Sequence, residues 1–209
     1  MSGVWGILVA AGRGDRFGAP KQFCDLAGAP VVERACAPLA EVCDGVVVVL
    51  PRGFGWDGAG RAVVGGETRS DSVRAGLRAI PEEAELVVVH DAARPLAARA
   101  LFEAVVTAVR DGADAAVPAM PVSDTLKRVD GTRVLETLDR SPLVAVQTPQ
   151  GFRAAALRAA HALARDATDD AALVEAGGGT VVVVPGDARN IKITQPDDLL
   201  VAAALLERQ

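Results

Sequence analysis

The segment Ala10-Ala11-Gly12-Arg13-Gly14-Asp15-Arg16-Phe17-Gly18-Ala19-Pro20-Lys21-Gln22 mixes glycines with fixed cations directly after an apolar run. Glycine lets the backbone approach a phosphate closely, and successive N–H groups form an anion cradle. Arg16 and Lys21 add charge that glycine cannot supply. The chemistry implied is the holding of a polyphosphate. Spacing excludes two other phosphate motifs. A P-loop needs Gly-Lys-Ser/Thr, whereas Gln22 follows Lys21, and a dinucleotide fingerprint needs its third glycine one residue before Gly18. The second apolar run ends in Leu50-Pro51, without the acidic residue that would take a ribose. The other reading of the loop is a tight strand-to-helix turn with solvated Arg and Lys.

Three further clusters could carry chemistry. His90-Asp91-Ala92-Ala93-Arg94-Pro95 follows an apolar run, so Asp91 stands at a strand end. A carboxylate there, facing a phosphate loop, is well placed for Mg²⁺, which takes one or two carboxylates together with substrate phosphates. Spacing also allows Asp91 to cap the next helix or to pair with Arg94. Gly65-Gly66-Glu67-Thr68-Arg69-Ser70-Asp71-Ser72-Val73 places two glycines before a helix start, where backbone groups can meet a ligand. Its plainer reading is a capped helix with Thr68 as the cap. Lys192, in Asn190-Ile191-Lys192-Ile193-Thr194, precedes another helix start and is either a phosphate ligand or a solvated lysine. His90 reads as structural, and His161, in an Ala-rich helix, receives no role.

These residues must be positioned by elements that the hydrophobic pattern outlines. Val4–Ala10, Val46–Leu50, Leu86–Val89, Ala115–Pro118 and Val181–Val184 are short apolar runs without alternation. Such runs suit parallel strands covered on both faces. Helical spacing falls between them at Val73/Leu77/Ile80 and Leu101/Val105/Val109, and a last helix begins near Thr194-Gln195-Pro196-Asp197-Asp198. Alternating strand and helix predicts a doubly wound, mostly parallel α/β sheet of Rossmann-like type over residues 1–209 as one domain. One stretch, about 121–147, breaks the rhythm. Asp130-Gly131 between two alternating segments is a hairpin signal. It predicts an extended β arm, covered in a homodimer or folded back on its own domain.

Half of the chain is hydrophobic and its net charge is −5, so the surface as a whole does not attract nucleic acid, and with no Tyr and few Phe or Trp it offers no stacking platform. Cys24, Cys36 and Cys43 lack metal-ligand spacing and read as reduced structural thiols. No apolar run reaches the length of a membrane span and the start lacks a basic n-region, which predicts a cytoplasmic protein without membrane contact.

The glycine loop, read as Ala-Ala-Gly-x-Gly-x-Arg-x-Gly followed by Pro-Lys-Gln, resembles the signature of sugar-phosphate nucleotidylyltransferases of the glycosyltransferase-A-like superfamily. With the rest of the chain it is similar to the cytidylyltransferases acting on 2-C-methyl-D-erythritol 4-phosphate. The resemblance implies that CTP and a sugar-alcohol phosphate are joined, with Mg²⁺ and release of pyrophosphate. It implies nucleotide contacts from Ala10, Ala11, Gly12, Gly14, Gly66, Glu67, Ser72, Asp91 and Ala92, with Arg69 as a buttress. Arg16, Lys21, Arg140 and Lys192 would be catalytic and Asp91 would hold the metal. Arg94, Thr125, Arg140, Thr148 and Lys192 would meet the acceptor, Thr125 in part across a dimer. Where some relatives place a carboxylate before Asn-Ile-Lys, this chain has Arg189, with Asp187 two residues earlier. Alternatives are a ribitol 5-phosphate cytidylyltransferase, a nucleotidylyltransferase using another nucleotide, and a non-catalytic nucleotide-binding regulator. Retention of Arg16, Lys21 and Asp91 argues against the last.

Overall fold

The computed structural model describes residues 3–12, 14, 17–162 and 166–207. In chain order its elements are β1 (Val4–Val9), β2 (Asp25–Leu26), β3 (Ala29–Pro30), α1 (Val31–Val42), β4 (Gly45–Leu50), β5 (Arg61–Val64), α2 (Arg69–Ala79), β6 (Leu86–Asp91) and α3 (Arg99–Arg110). There follow β7 (Ala115–Pro121), β8 (Lys127–Asp130), β9 (Arg133–Thr137), β10 (Val144–Val146), β11 (Gln150–Arg153), α4 (Ala154–Ala162), α5 (Asp170–Ala176), β12 (Val181–Pro185) and α6 (Asp197–Leu206).

The unbroken apolar runs are explained by two cores. Successive strand residues point to opposite faces. Leu8, Val48 and Val88 pack on one face with Leu39 of α1 and Phe102 and Val105 of α3. Ile7, Val47, Val49, Val87 and Val89 pack on the other with Val73 and Leu77 of α2, Phe152 of β11 and Leu157 of α4. Both faces are covered, so both must be apolar.

β5, β4, β1 and β6 lie side by side, all parallel. β11 then runs antiparallel between β6 and β7. β12 pairs in parallel along one edge of β7, while β10 and β11 follow one another along its other edge. The sheet is thus mixed, mostly parallel, as the strand–helix rhythm predicts. α1, α5, β5 and β11 extend the pattern read from the sequence. Gln150-Gly151-Phe152-Arg153 has no strand-like alternation of apolar residues, yet its first three residues are buried.

β8 and β9 form the expected hairpin around Gly131, whose φ is +55°. Every residue of both strands is exposed. Among the described residues no helix is long and apolar enough to cross a membrane.

Candidate active site

The glycine loop lies at the carboxyl end of β1, and a single buried side chain shapes it. Gln22 donates from Nε2 to the carbonyls of Ala10 (2.8 Å) and Gly12 (3.0 Å). Tying those carbonyls to Gln22 takes them out of competition for a ligand's neighbourhood. At Gly14, φ is +73° and a Cβ would lie 1.9 Å from the Ala19 carbonyl oxygen, so only glycine fits there. Lys21 donates from Nζ to the Ile193 carbonyl at 2.6 Å, joining the loop to the segment that precedes α6. Arg16 lies outside the described residues.

The second wall is the N-terminus of α2. Thr68 caps it: its Oγ1 accepts from the Asp71 N–H, and Asp71 accepts from the Thr68 N–H in return. The plain reading of this segment is therefore correct as local structure. It also fixes what the ligand-binding reading needs. Ser72 Oγ accepts from the Gly66 N–H (3.3 Å) and donates to the Thr68 carbonyl (3.0 Å). A Cβ on Gly65 would come 2.4 Å from the Ala11 Cβ, so glycine lets this segment and the phosphate loop meet.

Between the two walls opens a cavity of about 750 Å³, a size that suits a nucleotide. Ala10, Ala11, Gly12, Gly14 and Lys21 line one side, and Gly66, Glu67, Arg69 and Ser72 the other. Asp91, Ala92, Lys192 and Thr194 complete it.

Asp91 sits between two cations. Its Oδ1 accepts from Arg69 Nε at 3.2 Å and its Oδ2 from Lys192 Nζ at 2.7 Å. Neither a helix cap nor a pair with Arg94 accounts for it. Burial alone would push the Asp91 carboxyl up, but the Arg69 and Lys192 charges outweigh burial and hold it well below the usual carboxylate range. Arg69 turns its Nη1 to Asp170 at 2.7 Å, and Asp170 also accepts from His161 Nε2 at 2.9 Å. Burial opposes the Arg69 charge, but its two carboxylate partners override that and raise its pKa.

Behind Asp91 runs a neutral chain. The Asp91 N–H donates to Thr148 Oγ1 (3.1 Å), and Thr148 Oγ1 lies 3.0 Å from His90 Nδ1. His90 Nε2 lies 3.1 Å from the Arg94 carbonyl and so carries the proton, leaving Nδ1 to accept from the Thr148 hydroxyl. Burial pushes the His90 pKa down to about 4, outweighing the neighbouring Asp91 charge and the hydrogen bond to the Arg94 carbonyl, so the ring is neutral. Its structural reading holds.

The structure thus brings Ala10, Ala11, Gly12, Gly14, Lys21, Gly66, Glu67, Ser72, Asp91, Ala92 and Lys192 around one cavity. It places others elsewhere. Thr148 is buried beneath Asp91, and Arg94 points its Nη1 to the Asn190 carbonyl. Thr125 and Arg140 are exposed on the arm. Asp187 and Arg189 serve the local fold: the Asp187 backbone brackets Gln147, and Arg189 donates to the Leu205 carbonyl. Asp170 was not legible as a site residue, because its link to Arg69 spans 101 positions of sequence.

A family model described as IspD, 2-C-methyl-D-erythritol 4-phosphate cytidylyltransferase, matches residues 4–208. The chain belongs to this family. It is 43% identical to the 2-C-methyl-D-erythritol 4-phosphate cytidylyltransferase of Rubrobacter xylanophilus, over 99% of this chain and 96% of the relative. It is 49% identical to the bifunctional enzyme IspD/IspF of Anaeromyxobacter dehalogenans, of which it covers 57%. The crystal structure of the Thermus thermophilus cytidylyltransferase superposes with a TM-score of 0.85 at 39% identity, covering 96% of this chain and 98% of that one.

Proposed function

We propose that the protein joins CTP to 2-C-methyl-D-erythritol 4-phosphate, giving 4-diphosphocytidyl-2-C-methyl-D-erythritol and pyrophosphate, in the non-mevalonate route to isoprenoid precursors. The observation that carries this reading is the convergence of Lys21, Lys192 and Asp91 on a cavity whose far wall is the Gly66–Ser72 segment. Family membership supplies the substrate class.

In this reading a phosphate oxygen of the acceptor attacks the α-phosphorus of CTP. A new P–O bond forms, the bond to the β-phosphate oxygen breaks, and pyrophosphate leaves with that electron pair. The attacking monoester is already largely ionised near neutral pH, so no strong base is needed. What the chain must do is hold two anions together and stabilise charge on the oxygens around phosphorus. Lys21 and Arg16 would bind the triphosphate, and Lys192 the acceptor side. Gly66, Glu67 and Ser72 would border the base, where fixed small polar groups can tell the cytosine amine from the uracil carbonyl.

The donor set fits a hard divalent cation of the Mg²⁺ type. Asp91 is an ionised carboxylate at the cavity, Glu67 lines the opposite wall, and no group of three or more His, Cys, Asp or Glu gathers among the described residues. Mg²⁺ is commonly held by one carboxylate and substrate phosphates. Bound there, it would neutralise charge on the phosphates; Asp91 would hold it, with Lys192 giving up part of its contact.

Thr125 and Arg140 do not line the cavity. The arm and the adjoining β10 expose Val129, Val134, Leu135, Val144 and Val146. A homodimer in which this surface is covered would bring Thr125 and Arg140 of one subunit to the other's site.

Pyrophosphate release from each of the four nucleoside triphosphates, with methylerythritol phosphate and ribitol 5-phosphate as acceptors in parallel, tests the assignment. Release with CTP and methylerythritol phosphate alone is expected. Release with ribitol 5-phosphate instead would overturn the acceptor and keep the mechanism.

A further inference from the structure

Asp170 has no exposure to solvent, does not line the cavity, and yet stands one side chain away from it. Its two oxygens are both engaged, Oδ2 by Arg69 Nη1 at 2.7 Å and Oδ1 by His161 Nε2 at 2.9 Å. Arg69 spends its Nε on Asp91 through a longer contact of 3.2 Å, and Lys192 takes the other Asp91 oxygen. The order along this chain is Lys192, Asp91, Arg69, Asp170, His161. Two cations and two carboxylates alternate, so their charges cancel. Without Asp170, the same cluster would carry one net positive charge next to the cavity.

The anchoring is not limited to one contact. Asp166 accepts from Thr68 Oγ1 at 2.9 Å, and the Ala167 N–H donates to Ser70 Oγ at 3.4 Å. The turn before α5 therefore grips the first turn of α2 on both sides of Arg69. Asp169 caps α5 and also accepts from Gln150 of β11. Asp170 is held in place by the elements around it, and its hydrogen-bonded path to Asp91 runs through Arg69.

We infer that Asp170 is a positioning residue that acts as the hidden counter-charge of the site: by occupying Arg69 it keeps Asp91 available to a divalent cation. The inference rests on the reading of Asp91 as the metal-holding carboxylate. Its physical content is a difference of sign. A buried negative charge near the site favours a cation there and disfavours an anion. Removing it must therefore weaken metal binding and leave metal-free nucleotide binding unchanged or tighter. Loss of packing would weaken both.

Calorimetric titration of CTP into the protein, with Mg²⁺ and with EDTA, reads the two effects separately. In the wild type Mg²⁺ tightens CTP binding. In Asp170→Asn this tightening shrinks by about fivefold or more, the scale expected for one buried charge felt through a guanidinium, while the affinity in EDTA is equal or higher. A second arm compares Arg69→Gln with Arg69→Gln/Asp170→Asn, both first shown to be folded by their melting curves; the double variant removes both ions of the buried pair, whereas Arg69→Gln alone leaves Asp170 with His161 as its partner. With the bridge gone, removing Asp170 should change the Mg²⁺ dependence much less than it does when Arg69 is present. Weaker CTP binding in EDTA for folded Asp170→Asn, or a Mg²⁺ dependence that differs within the Arg69→Gln pair as much as it does between wild type and Asp170→Asn, overturns the inference alone. Wild-type protein whose CTP affinity ignores Mg²⁺ overturns it together with the metal reading of Asp91.

Discussion

At the scale of single residues the site works by pairing opposite charges before any ligand arrives. Lys21 rests on the Ile193 carbonyl and Lys192 on Asp91, so both ammonium groups are held at the cavity edge. If Lys21 stabilises charge on the triphosphate, Lys21→Ala should lower kcat by about 100-fold or more. The melting temperature, measured alongside turnover, should move little, since this residue lies at the surface of the cavity. His90 makes a different prediction. Its pKa falls from 6.5 to about 4 on folding. Between those values the unfolded chain binds the proton and the folded one does not, so stability is complete above pH 6.5 and declines as pH falls toward 4. The loss from this ring should approach about 3 kcal/mol, read from urea midpoints across that window, and His90→Asn should flatten that part of the profile. Much of the site was visible at this scale before any fold was known. Gly12, Gly14, Lys21 and Asp91 each carry a local signature. Gln22 and Asp170 do not, because what they do depends on partners distant in sequence or on backbone carbonyls that no pattern exposes.

At the scale of elements, local rules and site geometry coincide at α2. The capping box at Thr68 and Asp71 ends the loop that lines the cavity and starts the helix that Arg69 rides on. Thr68→Ala removes one half of that box and should cost about 1 kcal/mol, seen as a lower melting temperature. It should also raise KM for CTP more than it lowers kcat, because the Thr68 carbonyl that Ser72 Oγ bonds is less firmly held once the cap is gone, while Lys21 and Lys192 stay put. The apolar runs of β1, β4, β6 and β7 were legible because their faces are covered, and β12 was legible from its run of four valines although Val183 is exposed. β5 was not: its four residues are mostly exposed at the sheet edge. Nor was β11, where Gln150 is buried for its bond to Asp169 and Gly151 because a Cβ would lie 2.9 Å from the Val105 carbonyl oxygen. The hairpin at Gly131 was legible because a turn signal needs no tertiary context.

At the scale of the whole molecule the arm is the feature that a single chain leaves unexplained. Val129, Val134 and Leu135 are each 54% exposed on a two-stranded ribbon, and such a ribbon is marginal alone in water. Sedimentation should show a dimer. Leu135→Glu with Val144→Glu should dissociate it and depress activity with methylerythritol phosphate while leaving CTP binding intact, because Thr125 and Arg140 lie on that arm and the CTP-facing cavity does not include them. Unchanged mass or unchanged acceptor KM would argue that the hairpin serves another purpose. The sequence patterns predicted the hairpin; nothing within one chain tells which surface covers it.

The bond from Lys21 to the Ile193 carbonyl joins positions 172 residues apart, and Lys192 reaches Asp91 across 101. Both partners in the later segment follow β12, the last strand of the sheet. During synthesis, when domains assemble from the amino terminus onward, β1, β4 and β6 can pair and close their two cores while the Asn190–Thr194 segment is still inside the ribosome. The nascent protein then has most of its sheet, while Lys21 lacks the Ile193 carbonyl and Asp91 lacks the Lys192 ammonium. The two long-range contacts of the site therefore form at one late moment of translation rather than growing with the chain, and a message truncated after β12 would lack both of them together with Ile193 and Ala202, which are fully buried.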